Sequence, residues 1–247
     1  MKNNELEKFL DLNTDHYFKK TKHIILKNKD MQVTYAVFMR RPVLFCPSLA
    51  IKWLRKIEKI RNTKFNIKMC YKEGEWVGAG EPLMFLSGKF SQLVELETTY
   101  LQLIGPASVA AYNAFKMCTD LPNTAFMAMD ARHCAGAHMH ELMAYGASVG
   151  SNKAKKELNA KGFIGSSCKS TSYLFKNEHA LGTMPHALIG YAGSTLNAAK
   201  YYHNTFPDEP LTVLVDYFGK EISDTLEVCK YYEKLIKEKI QLSEFLK

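Results

Sequence analysis

The feature that most constrains the fold is an alternation of short apolar runs with helix-patterned segments, which begins after Pro122. Strand-like runs follow one another at residues 124–129, 162–164, 182–189 and 211–217. Helix patterns come after three of these runs, at residues 137–146, 192–203 and 223–239. Strands that alternate with helices indicate βα units and a parallel sheet. Because a closed βα barrel needs eight strands, a series of about four leaves the edges of the sheet open.

The chain before residue 120 has a different pattern. Apolar positions recur at helical spacing at residues 14–24, 47–60 and 90–119. Runs typical of β-strands lie between them, at residues 34–38, 65–71 and 73–86. We expect the Gly105–Pro106 pair to kink or divide the longest helix. The sequence therefore predicts the α/β class, with an α+β N-terminal domain over residues 1–120 and a βα domain over residues 121–247.

Composition limits the class of protein. The 247 residues are 47% hydrophobic and 23% charged, which is typical of a globular chain. No apolar stretch approaches the ~20 residues that a transmembrane helix needs, and the charged N-terminus has no signal-peptide pattern. We therefore expect a cytoplasmic protein with no membrane partner. The six cysteines form no C-x-x-C pair, so we expect free thiols and neither a zinc site nor a disulfide framework.

The net charge of +8 has two interpretations. One is nucleic-acid binding, and the other is a basic site for phosphorylated small molecules. The lysines are spread along the chain in short clusters, and no nucleic-acid-binding motif accompanies them. We therefore predict small-molecule partners and no nucleic acid.

The best candidate for chemistry is the segment Gly182–Gly190, which places a glycine, a proline and a histidine beside an apolar run. Catalytic residues of βα folds cluster at strand ends, where loops open into a pocket. His186 could act there as a base, a phosphate ligand or a nucleophile, because the pKa of histidine lies near neutrality. The alternative is a structural histidine in a turn. Thr183 belongs to the same segment and is a candidate for substrate binding.

Three further candidates follow apolar runs. Arg132 lies in Asp130–His133 and offers a planar fork for carboxylates and phosphates, unless it forms only a surface salt bridge with Asp130. Asp216 closes the run at 211–217 and could orient a hydroxyl group or a lysine, or be a plain loop carboxylate. Ser166, in a loop with Gly165, offers a hydroxyl and backbone amides to an anion.

Two other patterns concern an aromatic side chain and a possible metal. Tyr17 could stack on a flat ring, although ordinary packing beside a helix cap explains it as well. His133, His138 and His140 look like a metal cluster at first sight. His138 and His140 are two residues apart and face different sides of a helix, so we predict no metal held by these side chains.

Taken together, several segments resemble the nicotinate phosphoribosyltransferase family, in the same order along nearly the whole chain. These segments are Asn13–Phe18, Glu95–Thr98, Asp130–Arg132, Gly182–Leu188 and Leu211–Gly219. The Gly-Thr-Met-Pro-His-Ala-Leu motif is the most specific of them. The resemblance implies an α+β N-terminal domain followed by part of an irregular βα barrel of the type II phosphoribosyltransferase kind.

The resemblance also implies a reaction in NAD biosynthesis. Nicotinate and phosphoribosyl pyrophosphate would give nicotinate mononucleotide and pyrophosphate, driven by ATP through a phosphohistidine, with Mg²⁺ accompanying both phosphate compounds. His186 matches the phosphorylated histidine, Tyr17 the aromatic residue that stacks on the pyridine ring, and Arg132 the arginine beside its carboxylate. Thr183, Asp216 and Ser166 complete the expected substrate site. A homodimer or a complementing chain is the expected assembly, because the family places the stacking residue on a partner subunit.

Two departures from the family pattern leave alternatives open. Asp130 stands where many relatives have glycine, and family members run on for well over a hundred further residues. One alternative is therefore a non-catalytic remnant or a subunit of a split enzyme. Another is a phosphoribosyltransferase for quinolinate or nicotinamide. Quinolinate carries two carboxylates and would favour more arginines than Arg132, the one arginine between residues 124 and 190.

Overall fold

The computed structural model describes the backbone of residues 3–245 and the side chains of residues 4–239. The chain forms two compact units, Met1–Leu181 and Gly182–Lys247. The domain boundary predicted between residues 120 and 121 lies inside the first unit and stays a prediction. The outer ends of the two predicted domains, residues 1–2 and 246–247, lie outside the described residues.

Helices dominate the described residues, with seven strands between them. The helices are α1 (Asn3–Asn13), α2 (His16–Lys27), α3 (Ser48–Arg61), α4 (Phe90–Leu93), α5 (Glu97–Asp120), α6 (Ala137–Leu158), α7 (Lys169–Ser172), α8 (His186–Ala192), α9 (Thr195–Thr205) and α10 (Glu221–Phe245). The strands are β1 (Gln32–Phe38), β2 (Val43–Leu44), β3 (Asn66–Met69), β4 (Trp76–Val77), β5 (Pro82–Lys89), β6 (Ala125–Ala128) and β7 (Gly162–Ser166). The predicted mixed α/β class is confirmed.

The front of the first unit is an antiparallel sheet covered by helices. Its strand order is β1-β5-β3, with β5 in the centre. From Met84 onward the central strand alternates buried and less buried positions, so Met84 and Leu86 enter the main core with Leu54 and Ile57 of α3. Helix α3 follows its predicted range closely and ends where Asn62 adopts the left-handed conformation at φ 46.

A buried carboxylate joins the N-terminal helices to this sheet layer. Glu95 is 8% exposed and lies in a 3₁₀ turn between α4 and α5. Lys22 of α2 donates to Glu95 at 2.7 Å, and Arg61 at the end of α3 donates to the other carboxylate oxygen. Arg61 also donates to Glu7 of α1 at 3.1 Å. Three helices are thus held by one buried acid and its partners.

The long helix predicted at 90–119 is divided, but not where we expected. A 3₁₀ turn at Val94–Leu96 separates α4 from α5, and α5 then runs through Pro106 without a break. The predicted division at Gly105–Pro106 is therefore wrong. Proline removes one hydrogen bond from the helix, and burial of the neighbouring Leu103, Ile104 and Ala107 compensates for that loss.

Helices α5 and α6 pack with their backbones in close contact. A Cβ atom on Gly146 would lie 2.3 Å from the Ala107 carbonyl oxygen, and one on Gly150 would lie 2.1 Å from the Ala111 oxygen. Only glycine leaves room for that approach, since real Cβ atoms do not come so near to backbone oxygen. This contact sets the position of α6, which follows the first strand of the parallel pair.

The predicted parallel sheet consists of two strands in the described residues. β6 pairs with β7 in parallel, and α6 connects them. The strands predicted at 182–189 and 211–217 are wrong: α8 occupies the second half of the first range, and the second range has no neighbouring strand to pair with in the described chain. Leu211, Val213 and Leu214 instead pack as half-buried side chains on the core of the second unit.

The second unit is a small helical unit. Its core contains Met184, Ile189 and Ala198, contributed by the segment before α8, by α8 and by α9. The Ser194 hydroxyl accepts from the Asn197 amide at 3.1 Å and so caps the N-terminus of α9. Within the described residues, no helix is both long and apolar enough to cross a bilayer.

Candidate functional site

The carboxyl ends of β6 and β7 bring two predicted site segments together. Asp130 and Arg132 follow β6, and Ser166 is the last residue of β7. The Ser167 amide donates to the Ala128 carbonyl oxygen at 2.9 Å, so the pairing continues past the end of β7. Parallel strands present their following loops at one edge, which is where βα folds place their sites.

A chain of hydrogen bonds runs beneath this edge. The Cys168 amide donates to Ser166 Oγ at 3.2 Å, and Ser166 Oγ lies 2.7 Å from Thr171 Oγ1. Thr171 Oγ1 lies 3.3 Å from His140 Nε2, and that nitrogen lies 4.0 Å from Asp130 Oδ1. Ser166 and Thr171 are almost fully buried and His140 is 6% exposed. The buried side chain of the predicted site residue Ser166 therefore stabilises the loop through its hydrogen bond with the Cys168 amide.

Asp130 is held within its own loop as well. The Cys134 thiol donates to Asp130 Oδ2 at 3.3 Å. Burial raises the pKa of Cys134 to about 11, and the hydrogen bond to Asp130 and its negative charge add to the effect. The thiol is therefore protonated at neutral pH and is not a thiolate nucleophile. The Asp130 carboxylate accepts from Cys134 and lies near His140. It does not form a salt bridge with Arg132.

Two cations at this edge are open to solvent. Arg132 lies in the 3₁₀ turn after β6 and is exposed, and Lys169 begins α7 after β7 and is also exposed. Neither has an ion pair among the residues that the structure describes. Solvent-facing cations from two adjacent strand ends can bind an anion with more than one negative group.

In the second unit, the fold joins two candidates that lie 30 residues apart in the sequence. His186 Nε2 lies 2.8 Å from Asp216 Oδ1, and each side chain is about half exposed. This hydrogen bond holds the pKa of Asp216 below its usual value. The Tyr217 ring lies 6.1 Å from the imidazole. The carboxylate orients the histidine, as in many sites that bind phosphate or transfer protons.

Thr183 and Tyr17 are the remaining predicted site residues. Thr183 makes only a long hydrogen bond, 3.4 Å to the Met184 carbonyl oxygen. Tyr17 is 61% exposed, and its ring centroid lies 4.3 Å from that of Phe18. Burial of its hydroxyl and the nearby carboxylates raise the pKa of Tyr17. The hydroxyl is therefore neutral at physiological pH, and the exposed ring is available to a flat ligand.

The segment that carries Tyr17 is fixed by a second segment of the sequence resemblance. Thr14 donates to the Glu95 carbonyl oxygen at 2.9 Å, and Thr98 Oγ1 donates to Asp15 Oδ2 at 2.9 Å. Asp15 therefore holds α5 and does not cap α2 with its side chain.

Three residues of the strand-end site were missed by sequence reasoning: Lys169, Thr171 and His140. Lys169 lies three positions after Ser166, so it could have been found as a cation in the loop after a predicted strand. No sequence signal identifies Thr171 or His140, because they meet only when α6 and α7 pack together. The histidine was considered only as a metal ligand.

Within the described residues, no three or more histidine, cysteine, aspartate or glutamate side chains gather in a group that could hold a metal ion. The carboxylates near the strand-end site point to other partners, as Asp130 does to His140 and Cys134. A protein-only Mg²⁺ cage does not fit these side chains. Mg²⁺ in phosphate sites is more often held by one or two carboxylates together with the phosphates of the substrate.

Comparison with known proteins gives one family match. Residues 15–108 match the family model described as quinolinate phosphoribosyl transferase, N-terminal domain. No curated protein matches the chain.

Solved structures resemble most of the chain in fold. A nicotinate-nucleotide pyrophosphorylase from Pyrococcus furiosus superimposes with a TM-score of 0.67 at 24% identity, over 88% of this chain and 53% of that one. Human nicotinic acid phosphoribosyltransferase gives 0.57 at 20% identity, over 73% and 41%. A nicotinate-nucleotide pyrophosphorylase from Ehrlichia chaffeensis gives 0.58 at 15% identity, over 84% and 67%. The chain spans about half the length of the first of these, and the likenesses establish the fold alone.

These comparisons correct the resemblance drawn from short motifs. The prediction of the nicotinate phosphoribosyltransferase family is wrong, because residues 15–108 match the N-terminal domain of quinolinate phosphoribosyl transferase instead. The ATP-dependent, ligase-type activity and the nicotinate and ATP partners fall with it, as does the phosphohistidine role of His186. The motifs fix residue types in a few loops, whereas the family match covers a continuous stretch that includes the whole antiparallel sheet.

Proposed function

We propose that the chain acts in a quinolinate phosphoribosyltransferase. The reaction moves the phosphoribosyl group of phosphoribosyl pyrophosphate to the ring nitrogen of quinolinate, releases pyrophosphate, and removes one carboxyl group as CO₂. The product is nicotinate mononucleotide, and no ATP is consumed. The family match of the front domain and the pyrophosphorylase structures support this class of glycosyltransferase in NAD biosynthesis.

The observation that carries the proposal is the pair of exposed cations at the strand-end site, neither of which forms an ion pair with another described residue. Quinolinate has two carboxylates on one flat ring, and Arg132 and Lys169 offer one positive group from each strand end. The sequence had argued against quinolinate because only one arginine was available. Lys169 answers that objection, since an ammonium group binds a carboxylate without needing the planar fork of arginine.

The other predicted residues keep proposed roles in this reaction. Tyr17 offers an exposed ring to the pyridine, and Ser166 holds the loop that carries Lys169. The second unit, taken by itself, offers His186, oriented by Asp216, and Thr183 as candidate phosphate ligands. A neutral nicotinamide ring would use neither cation, which disfavours the nicotinamide alternative. Mg²⁺ would arrive with the pyrophosphate group, and we assign no step to a metal held by this chain.

The cellular location and the assembly of the protein are also part of the proposal. Substrates of NAD biosynthesis are charged small molecules, which favours the cytoplasm. A homodimer, or a chain that complements this one, stays a prediction for the assembly.

The test is a paired assay of the purified chain. It is incubated with Mg²⁺ and phosphoribosyl pyrophosphate, plus either quinolinate or nicotinate with ATP, and both nicotinate mononucleotide and CO₂ are measured. In the reaction with quinolinate, which contains no ATP, we expect equal amounts of nicotinate mononucleotide and CO₂. Product from nicotinate that depends on ATP would overturn the proposal.

Binding measurements distinguish a chain that only recognises quinolinate from one that also catalyses its conversion. Isothermal titration with quinolinate, nicotinate and nicotinamide should rank them in that order, because each loses one negative charge relative to the one before. Binding in that order without turnover would leave the recognition site intact and favour the non-catalytic alternative. No preference for quinolinate would remove the role of the two cations.

A further inference from the structure

Helix α6 carries a buried histidine close to the strand-end site. The His140 amide donates to the Gly136 carbonyl oxygen at 3.1 Å in the first turn of the helix. Its side chain is turned inward, with 6% of the residue exposed. A histidine buried to this extent cannot contact a substrate that enters from solvent. Its effect on the site must pass through the residues that it touches.

His140 touches one residue from each of the two segments that follow the parallel strands. Its Nε2 lies 3.3 Å from Thr171 Oγ1 of α7, which follows β7, and 4.0 Å from Asp130 Oδ1, which follows β6. Thr171 and Asp130 lie two residues from Lys169 and Arg132, respectively. The imidazole is therefore a bridge between the segments that present the two exposed cations.

The hydrogen bonds of this bridge have a consistent direction. With Nε2 carrying the proton, its N–H faces Thr171 Oγ1 at 3.3 Å and Asp130 Oδ1 at 4.0 Å. The Thr171 hydroxyl then donates to the Cys168 carbonyl oxygen at 3.3 Å. The Ser166 hydroxyl donates to Thr171, and the Cys168 amide donates to Ser166. Each hydroxyl donor is used once, and no buried side-chain nitrogen or oxygen among the described residues is left without a partner. Removal of the imidazole would leave Thr171 and Asp130 without the group that lies between them.

We propose that His140 is a positioning residue that fixes the spacing between Arg132 and Lys169, and so selects a ligand with two carboxylates. The inference rests on the proposed function, because it names the device by which that same site distinguishes quinolinate from nicotinate. A ligand with one carboxylate needs only one of the cations and does not depend on their spacing. A ligand with two carboxylates requires both cations at a fixed separation.

The experiment compares His140→Leu with His140→Gln in the full chain. Leucine removes the bridge and keeps the volume buried, whereas the glutamine amide can still reach Thr171. The exposed His23 of α2 provides the matched control, His23→Leu. Dissociation constants for quinolinate and nicotinate are measured by titration, and exchange of the Ser167 and Cys168 amides is followed by NMR.

We expect His140→Leu to weaken quinolinate binding about tenfold, which corresponds to about 1.4 kcal/mol. Nicotinate binding should change by less than about twofold, since a single contact does not depend on spacing. The Cys168 amide should exchange faster, because its acceptor Ser166 loses its anchor. His140→Gln should restore both quantities, and His23→Leu should alter neither.

Two outcomes would overturn the inference. In one, quinolinate and nicotinate weaken equally in His140→Leu, which is the signature of general destabilisation. In the other, Cys168 exchange is unchanged. If the unmodified chain binds no quinolinate, the proposed function fails by itself, and the exchange data alone then decide whether His140 links the two segments.

Discussion

At the scale of single residues, the strand-end site owes its character to two cations that have no partner in the described part of the chain. Arg132 and Lys169 are both exposed, while the acid nearest to Arg132 in sequence, Asp130, is occupied by Cys134 and faces His140. A cation left free at a strand end is a better ligand for an anion than one engaged in a salt bridge. The solvent-facing side of the site therefore presents two positive charges that are available to an anion.

Removal of either cation should weaken quinolinate binding. We expect Arg132→Ala and Lys169→Ala each to raise the dissociation constant about tenfold or more, because a hydrogen bond to a charged group contributes about 1.5–3 kcal/mol. Isothermal titration measures the effect.

Lys161→Ala is the matched control for these variants. It removes the same charge just before β7, at the opposite end of the strand, and should leave the affinity unchanged. Equal losses in Lys161→Ala and Lys169→Ala would mean that only the overall positive charge of the protein matters.

Residue-level reasoning from sequence is most informative where a loop follows a recognisable strand. Arg132 and Ser166 were singled out in this way and lie at one edge of the parallel pair, and their roles stay predictions. His140 and Thr171 could not be found, because they lie 31 residues apart and meet through the packing of two helices. The pairing of His186 with Asp216 was missed for the same reason, although both residues had been singled out.

At the scale of elements, the contact between α5 and α6 is the most demanding packing in the first unit. Gly146 and Gly150 lie one helical turn apart, and each faces a backbone oxygen of α5 at a distance that excludes a Cβ atom. Because α6 also carries His140, this contact determines where the bridge below the site lies.

The same substitution should have opposite effects on the two helices. Gly150→Ala places a methyl group against the Ala111 oxygen and should destabilise the protein by about 1–3 kcal/mol. Gly105→Ala in α5 meets nothing closer than Met39 at 4.0 Å and should stabilise by about 0.5–1 kcal/mol through helix propensity.

Urea unfolding followed by circular dichroism measures both changes. A neutral Gly150→Ala would show that α6 can move away from α5 without penalty.

Elements with strong local signals were predicted well, and elements that depend on a partner were not. The helical spacing of α3 identified it to within about one residue at each end. The run at 211–217 has the β-branched composition of a strand, but a strand exists only with a neighbour to pair with. The local pattern contains no information on whether that neighbour is present.

At the scale of the whole molecule, the two units differ in the apolar core that each possesses. The first unit has a large core that combines the sheet with α1, α3, α5 and α6, whereas the apolar cluster in the described part of the second unit is small and contains Met184, Ile189 and Ala198 with a few half-buried neighbours. Burial of apolar surface is the main stabilising contribution to folding. The second unit should therefore be the less stable of the two.

Hydrogen exchange measured by mass spectrometry tests this difference. Amides of α8 and α9 should exchange at least about tenfold faster than those of β5 and α5, since opening a small core requires less free energy. Addition of phosphoribosyl pyrophosphate should slow exchange in α8 if His186 binds it. Uniform protection across both units would contradict the expected difference.

The buried Glu95 limits which substitutions this protein can accept during evolution. Its carboxylate is matched by Lys22 and Arg61, and Arg61 also serves Glu7, so four positions in separate parts of the sequence share one charge balance. Loss of Arg61 leaves the buried Glu95 with Lys22 alone, and loss of Glu95 leaves the buried Arg61 with Glu7 alone, so loss of two complementary members is tolerated better than loss of one. Related sequences should therefore vary at these four positions together, and a graft of the N-terminal helices onto another scaffold must carry all four.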